Sequence, residues 1–156
     1  MAKSGFFIKS VRLNDKRLRK LEGDQKNIDR SFVTIGVHPN ARPYPDGTSV
    51  QDVAFYNEFG TDTIPERSFL RSAVRENRRD LEEMLGLSLT AVLEKRSSVG
   101  RELGRIGIFV QSLIRRKILS NIPPPNAAST LSRKTGTRTL VDTRHLVSQI
   151  AWEVHE

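Results

Sequence analysis

Apolar residues recur at helical spacing through the middle of this chain and at strand spacing near both ends. That order limits the folds open to it. From Val99 to Leu119, the residues Leu103, Ile106, Val110, Leu113, Ile114 and Ile118 make one stripe, as an amphipathic helix requires. Upstream, Phe69, Ala73, Leu81, Met84, Leu85, Ser88 and Val92 fall three, four or a few more residues apart. This spacing predicts a long helix within Thr63–Lys95, started by Ser68 as N-cap or by a Thr63/Glu66 capping box. Ser31 to His38 (SFVTIGVH) is rich in β-branched residues that alternate, and Ile150, Trp152 and Val154 alternate near the end, so both read as strands. The sum is an α+β domain: a small antiparallel sheet packed against a long amphipathic helix and a second helix.

Between these elements lie breakers. Pro39 to Asp52 holds three prolines and the Asp46-Gly47 pair, and reads as a long turn or flexible hairpin tip. Pro123, Pro124 and Pro125 stop the second helix. Gly104 and Gly107 weaken that helix by roughly 1 kcal/mol each relative to alanine, and predict a close approach of another element. A short helical turn is expected within 126–133, and another, capped by Asp142 or Thr143, through Leu146 and Val147. Gly5–Leu13 reads as a first strand. Asn14–Arg30 is polar and basic, an exposed helix or a mobile loop. The chain therefore divides into a basic N-terminal segment (1–30), extended or mobile, and a single domain (31–156).

Composition narrows the chemistry. A chain of 156 residues suits one domain with one core. It has no cysteine, which removes disulfides, thiolate zinc sites and a cysteine nucleophile. No apolar run reaches the ~18–20 residues of a membrane span, and the N-terminal apolar patch is too short for a signal peptide. A cytosolic protein is expected. His38, His145 and His155 lack metal-ligand spacing, and no phosphate loop or nucleophile elbow is present. Neither an enzyme nor a cofactor is expected. The formal charge is +8, from 26 Lys plus Arg against 18 Asp plus Glu, and it is uneven. Residues 1–31 carry nine basic and four acidic groups, 57–95 six and eight, and 96–121 six and one. Surfaces of opposite sign can meet between copies. A basic chain also binds nucleic acid without strong sequence preference, and Arg115-Arg116-Lys117 with Arg133, Lys134 and Arg138 are the groups for it. Aromatic residues are few for base stacking, at 6%.

One segment asks for more than packing. Ala54, Tyr56, Asn57, Glu58, Phe59, Gly60 and Thr61 are followed by Ile64, Pro65, Arg67, Phe69, Leu70 and Arg71. Further on come Pro124, Pro125, Asn126, Thr130 and Lys134, then Leu140, Val141, Asp142, Thr143 and Leu146. In this order they resemble the tailed-bacteriophage virion morphogenesis family of neck and tail-completion proteins. That family shows Ala-x-Tyr-Asn-Glu-Phe-Gly-Thr, Ile-Pro-x-Arg-Pro-Phe-Leu-Arg, Pro-Pro-Asn and Leu-(Ile/Val)-Asp-Thr-Gly-x-Leu motifs. The likeness covers roughly residues 31–156. Ser68 and Ser72 stand where the family often has proline, and Arg144 where it has glycine. An arginine held at positive φ there would cost about 1–2 kcal/mol.

The resemblance implies a non-enzymatic structural protein of a tailed-phage virion, acting at the head–tail junction. It implies a homo-oligomeric ring, a hexamer foremost, around the DNA channel. Neighbouring neck, connector or tail-tube proteins are the implied partners, with non-specific DNA contact in the lumen. The implied location is the host cytoplasm during assembly and then the virion. On this reading Tyr56, Asn57, Glu58, Phe59, Gly60, Thr61, Pro65, Arg67, Phe69, Arg71, Asp142 and Thr143 are assembly residues. Arg105, Arg115 and Arg116 would meet the acidic face of a neighbour's long helix, and the Pro39–Asp52 loop would project to a partner ring. The alternative for Glu58 to Arg71 is a brace within the chain, between the connection and the long helix.

Overall fold

The structure, a computed structural model, describes residues 23, 26, 28–132, 134 and 136–156. The expected strand Gly5–Leu13, most of segment 14–30 and Arg133 lie outside the described residues. Gly23, Lys26 and residues 28–30 are helical. The named elements are β1 (Phe32–Val37), α1 (Val50–Phe59), α2 (Leu70–Glu76), α3 (Arg78–Leu93), α4 (Val99–Leu119), the short turns α5 (Ala128–Leu131) and α6 (His145–Ser148), and β2 (Ile150–His155).

The two strands pair antiparallel, Phe32 opposite His155 and Val37 opposite Ile150. The mixed class expected from the sequence is the one observed. The helix across the sheet is α4, whereas the Thr63–Lys95 stretch was expected there. α4 has the more regular apolar stripe, with Ile106, Val110, Leu113, Ile114 and Ile118 all buried. Each such side chain contributes roughly 1.5–3 kcal/mol on leaving water. Ser98 caps α4 by accepting from the Arg101 N–H.

Trp152, opposite Ile35 in the register, lays its indole on α4 at the two glycines. A Cβ at Gly107 would meet the ring at 2.8 Å, and one at Gly104 would lie 3.5 Å from it. The close approach foreseen for these glycines is therefore a side chain of β2. Here the lost helix propensity admits the largest residue of the sheet against the helix backbone.

Thr63–Lys95 is not one helix. It begins at Leu70 and breaks at Asn77, where φ is −112° and ψ is 23°. The Asn77 amide donates to the Ala73 carbonyl at 2.8 Å, taking the acceptor that the backbone of a continuing helix uses. The break lets α2 and α3 each pack separately on α4. Leu85, placed on the core stripe by spacing, is instead 49% exposed. The capping box at Thr63 does not form. Thr61 instead closes a turn, its hydroxyl accepting from the Ile64 N–H at 3.0 Å and its N–H donating to the Ile64 carbonyl.

The 39–52 stretch is no hairpin tip. Its last three residues open α1, for which Ser49 is the N-cap, accepting from the Asp52 N–H. The remainder is tied to the body of the fold. The Arg42 N–H donates to Gln149 Oε1, its carbonyl meets His145 Nε2 at 2.7 Å, and Tyr44 packs on the His145 ring. The turn α6 is led by Arg144 at φ 61°, without a side-chain cap. The capping by Asp142 or Thr143 expected from the sequence is absent. Arginine holds the left-handed conformation that the resemblance assigns to glycine.

Candidate assembly site

The motif residues gather where α1 hands the chain to α2. α1 ends at Gly60, whose φ of 75° turns the backbone and whose N–H closes on the Tyr56 carbonyl. A Cβ there would lie 3.0 Å from the Glu66 nitrogen and 3.2 Å from the Ile64 oxygen, so the turn needs glycine for both conformation and space.

Glu58, two residues earlier, is 2% exposed. Its carboxylate accepts from the Phe69, Leu70 and Arg71 N–H groups at 2.7, 2.8 and 3.0 Å, from the Ser68 hydroxyl at 2.8 Å and from Arg71 Nε at 2.9 Å. A helix start leaves its first N–H groups without intrahelical partners. Here a carboxylate from the preceding helix satisfies three of them, as a negative charge at the positive end of the helix dipole. Burial pushes the Glu58 pKa upward. The Leu70 and Arg71 N–H groups, the Ser68 hydroxyl and the Arg71 side chain outweigh it, and the net displacement is below the ordinary glutamate value. The N-cap falls on Phe69, without a side-chain cap, and not on Ser68 as expected; the Ser68 hydroxyl still supports this start by accepting from the Ser72 N–H at 3.3 Å. That is how the chain begins α2 without the proline the resemblance has there.

Arg67 binds the second motif. It is 6% exposed, and its Nε and Nη2 donate to the Pro124 and Pro125 carbonyls at 2.8 and 3.0 Å. Its own N–H donates to the Asn57 carbonyl at 2.7 Å. Burial lowers the guanidinium pKa. Around the prolines, Asn126 donates to the Thr137 and Arg138 carbonyls, Lys134 to the Arg138 and Thr139 carbonyls, and Asn121 Oδ1 accepts from the Thr139 N–H. Segments 58 residues apart (Arg67 to Pro125) are thereby fastened to one another.

Several expected assembly residues are thus occupied within the chain. Glu58, Arg67 and Phe69 (0% exposed) brace it, and their geometry is that of the alternative reading for this segment. Asn57 donates to the Val53 carbonyl. Arg115 donates to the Ile150 carbonyl, and Arg105 leans on the buried Glu102. Arg116, Thr61, Pro65, Asp142 and Thr143 are exposed.

Three aromatic side chains of α1 are also open at the surface. Phe55, Tyr56 and Phe59 are 59%, 43% and 51% exposed. The Phe55 and Phe59 ring centroids lie 4.9 Å apart, and the Arg71 guanidinium sits 4.5 Å over Phe59. Clustered exposed aromatic side chains of this kind are a feature of contact surfaces. Phe55 escaped the sequence reading because α1 did. The signal was Ser49 with Asp52 three residues on, a helix-start pattern.

Among the described residues no group of His, Cys, Asp or Glu is arranged to hold a metal ion, and no helix is long and apolar enough to cross a membrane. Compared with known protein families, curated proteins and solved structures, the chain matches none.

Proposed function

We propose that this protein is a structural component of a tailed-phage virion, without enzymatic activity, working at the head–tail junction in neck or tail completion. In this reading it forms a closed ring around the DNA channel, a hexamer foremost, made in the host cytoplasm and retained in the virion. Its neighbours are connector, neck or tail-tube proteins. The observation that carries the reading is the union of the two motif regions through Arg67 and the Pro124 and Pro125 carbonyls. Sequence strings that resemble one family in order also form one physical unit, which accidental matches scattered over a surface would not. The exposed ridge of Phe55, Tyr56 and Phe59 supplies a contact surface, and a heterologous contact closes into a ring when its rotation closes.

The test has two parts. The mass of the purified protein gives its oligomeric state, and particles assembled without it are then examined for a head–tail joint. A ring-sized mass and particles with unjoined tails are expected. A monomer that never enters particles refutes the proposal. The second reading rests on the net charge of +8 and sequence pI near 10.3: a basic protein that binds nucleic acid without strong specificity. It predicts association with duplex DNA that falls steeply with salt, together with normal particles in its absence.

A further inference from the structure

A groove runs between β1 and α2, floored by α4. Val33 and Ile35 form one wall, Leu70 and Val74 the other, and Val110 and Ile114 the floor; its volume is about 610 Å³. Val74 is 44% exposed, so the groove is open to solvent. Arg71, Arg75 and Arg78 also line it, one helical turn apart along α2 and the start of α3. Arg71 and Arg78 share carboxylates, Glu58 with Glu66 and Glu82, while Arg75 makes no ion pair among the described residues.

Among the described residues, the strand forming the other wall is paired on one side only. The sheet has two strands, in the order β1–β2, and no third strand adjoins β1 among the described residues. An edge strand presents unpaired N–H and C=O groups. Two strands alone are also fewer than a sheet ordinarily needs.

From these three features together we propose that this groove is a docking site for an extended, acidic and apolar segment of a partner protein, added as a strand along the free edge of β1. Main-chain hydrogen bonds to β1 hold the segment. Every second side chain drops onto Val33, Ile35, Val74 and Val110, since side chains alternate at period two. Its carboxylates meet Arg75 and Arg78 as charge-assisted pairs. The chain's own N-terminal residues suit this place poorly. Their charged groups are mostly basic, with Lys9 and Arg12 in the stretch with strand pattern, and would face the arginine rim. The inference stands on the groove, its arginines and the edge of β1, and does not depend on the virion reading.

The experiment uses the full chain and a fluorescein-labelled peptide alternating valine and glutamate. The comparison peptides alternate valine and lysine, or carry N-methyl groups on alternate amides of the valine–glutamate backbone. Fluorescence anisotropy should show saturable binding of the valine–glutamate peptide, weakened about tenfold or more by N-methylation and by raised salt. The double variant Arg75→Glu with Arg78→Glu changes exposed side chains only and should invert the preference toward the lysine peptide. Arg75→Gln should weaken binding of the glutamate peptide without inverting it. Circular dichroism of each variant verifies the fold. Absence of saturable binding, equal binding of the two charge types, or binding untouched by both the double variant and N-methylation overturns the proposal. Binding that appears only after deletion of residues 1–22 assigns the edge to the chain's own segment, and a change in the mass of the unliganded protein on Arg75→Glu assigns it to a second copy. Either result also overturns it.

Discussion

Replacing Glu58 tests the account of the α1–α2 junction most directly. In Glu58→Ala the Phe69 N–H, buried with the carboxylate, loses its partner outright, at a cost of about 1–3 kcal/mol. The Leu70 and Arg71 N–H groups are partly accessible and regain water, so about 1 kcal/mol each is a fair figure, near the usual value for a lost cap. The total is roughly 3–5 kcal/mol, which at ~2–4 °C per kcal/mol for a chain of this size lowers Tm by roughly 6–20 °C. Glu58→Gln keeps the shape and one acceptor but turns an amide donor toward a cluster of donors, so it should fall between wild type and alanine. Thermal unfolding followed by circular dichroism gives the loss, and light scattering on the same samples gives the mass. A Glu58→Ala protein that melts within ~2 °C of wild type yet fails to assemble would refute the intrachain role and make Glu58 an interface residue. The junction also carries a pH signature. The Glu58 pKa is lower in the folded state, so the unfolded chain binds more protons and the stabilisation is complete above the ordinary glutamate pKa of about 4.3. It is lost as pH falls through the folded value. Glu102, lowered by the Ser97 hydroxyl against its burial and further by Ser88 and Arg105, adds to the same acid limb. Glu58→Gln should flatten that limb, and an unchanged slope between pH 5 and pH 2 would count against the linkage.

Other expectations follow from single positions. Gly107→Ala forces a methyl to 2.8 Å from the Trp152 ring and should cost about 1–3 kcal/mol, whereas Gly104→Ala, at 3.5 Å, should gain about 0.5–1 kcal/mol from helix propensity; urea unfolding of the pair checks both signs. Arg144→Gly relieves a residue at φ 61° and should raise stability by up to about 1 kcal/mol, with a lowered urea midpoint as the contrary result. Arg67→Lys keeps the charge but loses the two-pronged grip on Pro124 and Pro125, and should destabilise by about 2–3 kcal/mol; an unchanged Tm would mean that the grip contributes nothing.

The parts of the fold legible in the sequence are those whose pattern is local. The α4 stripe and the alternation of both strands are spelled out within their own segments, and α4 begins and ends where its pattern does. The break at Asn77 was illegible because one side chain decides it, reaching back four residues within a stretch whose spacing tolerates either outcome. α1 was missed for another reason. Val50, Ala54 and Glu58 are its buried residues, and with a glutamate among three they make a poor apolar stripe. That glutamate faces inward because α2 supplies its donors, a relation no window of sequence contains. The candidate site was legible as a string of unusual residues, and their division into inner and outer was not. Glu58 and Arg67 are charged, so ordinary burial rules put them at the surface. The structure buries both because backbone groups of distant segments meet their hydrogen-bonding needs.

The register of the sheet has a bearing on synthesis. Thr34 meets His155 across 121 residues, and everything between them must be made before the two can touch. Among the described elements, a growing chain on the ribosome therefore has its helices before it can pair β1 with β2 or seat Trp152 on α4. Closing so long a loop is a slow step, governed by chain entropy more than by any one contact. Until β2 is made, the face of α4 that it covers stays bare, so the sheet is the latest of these elements to close.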